Sequence, residues 1–121
     1  MKLLIEDNIV INDIKFYLNL FRLYRSFLLL ISDQKDMGIG TVTLGSPPVI
    51  EGMKSPNVSY NLFGIDTKLL STIIVEKAAN TLKAPVLLLL FIKNKIKNED
   101  VVKPISNFLN KILEKVVKEG E

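Results

Sequence analysis

Ala84 to Ile92 reads APVLLLLFI, an apolar run entered through Ala84-Pro85 and closed by Lys93-Asn94-Lys95. Nine residues are too few to cross a bilayer, which takes about 20 in a helix. The run does not alternate apolar with polar, as a half-exposed strand would. It is either a central strand buried on both faces or a short buried helix. Pro85 at the entrance and the polar stop favour the strand. Each buried Leu or Phe is worth roughly 1.5–3 kcal/mol. Such a strand therefore needs cover on both sides, and the rest of the chain can be read for what supplies it.

The segments before it are short and strand-like. Lys2 to Glu6 is expected as an edge strand, Asp7-Asn8 as a turn, and Ile9-Val10-Ile11 as a second short piece. Asn12-Asp13 reads as a tight turn. From Ile14 to Leu23 the pattern alternates, with Ile14, Phe16, Leu18 and Leu20 on one face and Tyr17, Phe21 and Leu23 on the other. Arg22 to Arg25 is a turn region. Phe27 to Ile31 (FLLLI) is a second run apolar on both faces. The polar stretch Ser32 to Asp36 leads to a strand over Gly40 to Leu44, and the two strands read as a long-looped hairpin. Residues 45–57 hold several Gly and Pro and read as a mobile loop, followed by a strand at Val58 to Phe63.

Two helices complete the pattern. Leu69, Leu70, Ile73, Ile74, Ala78 and Leu82 recur at helical spacing behind Asp66, a natural cap, so a helix is expected from Asp66 to about Leu82. Val102, Ile105, Leu109, Ile112 and Val116 repeat at spacings of three and four, and Pro104 suits only a first turn. The last helix is thus expected to begin between Asp100 and Val102. The expected fold is α+β: one domain over 1–121, with a largely antiparallel sheet of about six strands and two helices on one face, in the order β-β-β-β-β-α-β-α.

Two helices cover one face of a sheet and leave the other bare. Yet Phe27 to Ile31 and Val86 to Ile92 are apolar on both faces. A large apolar face is uncommon on a monomer. A homodimer packed sheet to sheet, in layers α-β-β-α, supplies the cover; a sheet that closes on itself is the alternative. Tyr17, Phe21, Leu23 and Leu29 are the candidate dimer-interface residues.

Charge and composition narrow the chemistry. A net charge of +3 is too mild to argue for nucleic acid, and no aromatic stacking set accompanies the lysines. The chain has no His and no Cys, so the usual neutral-pH base, the commonest metal ligand and the thiolate nucleophile are all lacking. Asp33 and Asp36 near Gly38 and Gly40 match neither the phosphate-loop nor the calcium-loop spacing. Asp33, Glu51 and Lys77 would matter only if a pocket brought them together. No catalytic, cofactor or metal residue is assigned, and an enzyme is not expected. Lys93, Lys95 and Lys97 would share one side if the strand continued; with Pro47 and Pro48 of the loop they are the candidate partner-binding residues. Glu6-Asp7 interrupts the apolar start, so neither a leader nor a membrane span is read, and the expected location is the cytoplasm.

At SFLLLISDQKDMGIGTVTL (Ser26 to Leu44) and NLFGIDTKLLSTIIVEKAANTLKAPVLLLLFIKN (Asn61 to Asn94) the chain resembles the small eukaryotic proteasome assembly chaperones three and four. With the final helix following in the right place, the likeness extends over about four-fifths of the chain and is one of pattern, without an invariant signature. It implies a non-enzymatic chaperone, dimeric through its sheets, that contacts proteasome α-subunits during α-ring assembly, and it makes this chain look like an archaeal member. The ending Val116-Val117-Lys118-Glu119-Gly120-Glu121 lacks the hydrophobic-Tyr-X tail of the other class of proteasome chaperones. A dimeric adaptor of the roadblock or longin type, serving a GTPase or a motility system, is the alternative.

Overall fold

The computed structural model describes residues 1–48, 57–63 and 66–119. Strands β1 (Lys2–Ile11), β2 (Ile14–Leu23) and β3 (Ser26–Ser32) form an antiparallel meander. Asn12 and Asp13, with φ of 51° and 66°, make the tight turn between the paired residues Ile11 and Ile14. Both central residues are left-handed, as a type I′ hairpin requires. The expected break at Asp7-Asn8 does not occur. Both residues pair with β2, and the ladder overrides their local turn preference. The one irregularity in this pair is a register shift between Leu3 and Ile5.

β4 (Thr41–Gly45), β5 (Asn57–Asn61), α1 (Lys68–Leu82), β6 (Val86–Phe91) and α2 (Asn98–Glu119) complete the chain. The sheet has six strands in the order β1-β2-β3-β6-β4-β5. β3 and β4 are therefore not the expected hairpin. β6 lies between them, parallel to β3 and antiparallel to β4. The reason is burial: the two runs that are apolar on both faces lie side by side at the centre, where strand neighbours shield their edges.

One face of the sheet carries both helices. Phe16, Leu18 and Leu20 of β2, Leu29 and Ile31 of β3, and Val86, Leu88 and Leu90 of β6 are almost fully enclosed against Leu70, Ile74 and Val75 of α1 and Val101, Ile105, Leu109 and Ile112 of α2. α1 starts at Lys68 rather than Asp66; the Asp66 carboxylate accepts a 3.0 Å hydrogen bond from the Lys68 N–H just ahead of the helix. It ends with Lys83 in the left-handed region, φ 55°. α2 starts at Asn98, earlier than Pro104 suggests, so Pro104 lies inside the helix. Its missing N–H forfeits only the bond to the carbonyl of Asp100, close to the helix start. α1 sits tightly on β4: a Cβ on Gly45 would lie 2.8 Å from Val75 Cγ1.

Candidate interaction surface

The opposite face of the sheet is apolar and open. Strand alternation and register bring Leu3, Phe21, Leu28, Leu87, Leu44 and Val58 into one row across all six strands. A second row runs Glu6, Asn19, Leu30, Leu89, Val42 and Tyr60. The central leucines are half-buried by one another, whereas Leu44, Val58 and Tyr60 are 49%, 51% and 62% exposed. Among the described residues no helix lies over this face. Towards the β1–β2 turn the face becomes polar, with Asn8, Lys15 and Lys35 around Tyr17 and the Lys15 ammonium 5.3 Å from the Tyr17 ring centre.

The β4–β5 hairpin differs in polarity between its two sides. Its helix-side pairs are small or polar. Thr41 Oγ1 donates to Asn61 Oδ1 at 2.9 Å and lies 2.7 Å from Thr67 Oγ1, Thr43 and Ser59 share a 2.7 Å hydroxyl contact, and Asn57 Nδ2 donates to Glu76 Oε1 at 3.0 Å. Its apolar residues, Val42, Leu44, Val58 and Tyr60, point the other way. A sheet with one solvated face normally puts the apolar side chains under the helices. Here the peripheral hairpin reverses that order, with its hydroxyl and amide side chains towards the helices and its apolar ones on the open face.

The candidates from sequence fall in different places. Tyr17, Phe21 and Leu23 are half-buried on the open face. Leu29 is not: it is 1% exposed in the helix-covered core, because its parity in β3 matches Phe27 and Ile31. Leu28 and Leu30 occupy the open face instead. The alternation of Thr41 and Thr43 with Val42 and Leu44 held the signal for β4's contribution; pairing with β5 adds Val58 and Tyr60. Pro47 and Pro48 are half-buried beyond β4, while 49–56, most of the expected mobile loop and Glu51 with it, lie outside the described residues. β6 ends at Phe91, so Lys93, Lys95 and Lys97 do not share a strand side; all three are exposed in the link to α2.

Asp33 closes the centre of the sheet at the end of β3. Its carboxylate accepts from the N–H of Lys93 (2.9 and 3.1 Å), the N–H of Asn94 (2.7 Å) and the Asn94 side chain (2.7 Å), with Gln34 Nε2 at 3.3 Å. Burial alone would raise its pKa, but these hydrogen bonds, led by the Lys93 N–H, outweigh it and hold the carboxyl below the ordinary aspartate range. Asp33 thus ties down the chain leaving β6. Lys77 is half-buried on α1. No group of three or more acidic residues that could hold a metal is present among the described residues. Nor is any described helix long and apolar enough to cross a membrane.

No protein-family model matches the chain, and no curated protein matches it. Among solved structures it is similar to a chain from the crystal structure of a chaperone complex for yeast 20S proteasome assembly. The TM-score is 0.60 and the identity 9%, over 98% of each chain. At that identity the likeness is one of fold.

Proposed function

We propose that this protein is a non-enzymatic proteasome assembly chaperone that works as a homodimer and binds proteasome α-subunits while the α-ring forms. The observation that carries the reading is the six-strand apolar face, open on a fold shared end to end with a chain of a proteasome assembly chaperone complex. Two copies packed through these faces put four sheet and helix layers in the order α-β-β-α, with helices, links and sheet ends left outward for a client. The reversed polarity of the β4–β5 hairpin supports the same cover.

Native mass spectrometry of the chain, alone and mixed with a proteasome α-subunit from the same source, tests both parts. The expected result is a dimer that adds to α-subunit species and is absent from particles that already carry β-subunits. A dimer that ignores the α-subunit would reject the client and point to an adaptor with another partner. A monomer would reject the sheet-to-sheet arrangement.

A further inference from the structure

The β1–β2 turn, the link from β6 to α2 and the first turn of α2 enclose a half-open groove of about 400 Å³. Ile11, Ile14, Ile96 and Val101 make an aliphatic floor. Ile11 and Val101 belong to the core, 6% and 2% exposed, so the floor is backed by packed structure. Lys95 and Lys97 stand on the rim, both exposed, beside Asn12. The N–H of Asp100 donates to the Lys97 carbonyl at 3.0 Å, which holds the rim to the start of the helix. Asp100 is the one carboxylate among the lining residues. Ile11 and Ile14 lie on the helix side of the sheet with Phe16 and Leu18. The groove therefore faces away from the open sheet face and stays accessible when a second copy covers that face.

We propose that this groove is a docking site for an extended, acidic and aliphatic segment of a partner protein, with an aliphatic side chain on the floor and flanking carboxylates against Lys95 and Lys97. The argument is one of complementarity. The floor removes apolar surface from water, and the two ammonium groups select the sign of the flanking charge. Nucleic acid is disfavoured, because no aromatic ring lines the groove to stack a base. The assignment goes beyond the chaperone reading and does not depend on which protein supplies the segment.

Fluorescence anisotropy on the full chain tests it, with a short labelled peptide of alternating leucine and glutamate as the probe. The expected result is binding that weakens as salt rises, is stronger than that of the leucine–lysine counterpart, and falls about tenfold in the double variant K95E/K97E. Both substitutions are at exposed link positions, and an unchanged circular dichroism spectrum and melt would show that the variant folds. A serine–glutamate peptide is expected to bind several-fold more weakly. Absence of binding, equal binding of the acidic and basic peptides, equal binding of the serine form, or an unaffected K95E/K97E variant would each overturn the proposal. None of these outcomes bears on α-subunit binding, which the mass-spectrometric mixture reads separately.

Discussion

Asp33 shows how much one side chain can fix. Its carboxylate receives two backbone N–H groups that follow β6 and a side-chain amide, and its pKa is lowered as a result. A lowered carboxyl stabilises the fold fully above the unfolded-state pKa of about 3.9, and that share is lost as pH falls through the lower folded value. Asp33→Asn is expected to cost roughly 1–3 kcal/mol at pH 7 in urea unfolding. The gap between variant and parent should narrow at pH values well below about 3.9; a gap that stayed constant down to that acid range would reject the linkage. Lys83 is a second residue-scale case. A side chain in the left-handed region at a helix end is strained by about 1 kcal/mol, so Lys83→Gly is expected to raise the melting temperature. Ser71 adds a third, since its hydroxyl is enclosed with no hydrogen-bond partner among the described residues; Ser71→Ala is expected to be neutral or stabilising in the same melt.

At the scale of elements, the contact between α1 and β4 depends on Gly45. Gly45→Ala places a methyl group 2.8 Å from Val75 Cγ1 and is expected to cost about 1–3 kcal/mol. Val75→Ala opens the space, so the double variant should lose less than the sum of the singles in a denaturation cycle. The strands and helices of this chain were largely legible because their signals are local: the alternation in β2, the turn residues Asn12-Asp13, and the three-and-four spacing in α2. The pairing of β6 was not. Whether β3 neighbours β4 or β6 depends on which arrangement buries two doubly apolar strands together, and no local pattern encodes that choice. The same limit explains Leu29. The FLLLI run is apolar on both faces, so its sequence leaves open which residues meet the helices; only the register with Phe16, Leu18 and Leu20 decides it. The groove at Lys95 and Lys97 was half legible: the lysines stand out in the sequence, but Ile11 and Ile14 join them only through the fold.

For the whole molecule, the two sheet faces should respond oppositely to charge. Leu28→Glu or Leu87→Glu places a carboxylate at the centre of the open face, and each variant is expected to sediment as a monomer while keeping its circular dichroism spectrum. Leu29→Glu, one residue along, buries the charge under the helices and is expected to prevent folding. A Leu28→Glu chain that sedimented as a dimer of parental stability would reject the proposed sheet-to-sheet arrangement. The position of β6 also has a consequence for how the chain acquires its shape. Without β6, the three-strand meander and the β4–β5 pair each have an unpaired edge facing the gap between them. The gap closes only when Phe27 meets Val86 and Thr41 meets Leu90, contacts between residues far apart in the chain. Closing loops of that length is entropically slow. A chain cut short before Val86 is therefore expected to lack the strand that joins the meander to β4 and β5, and to leave the facing edges of β3 and β4 unpaired.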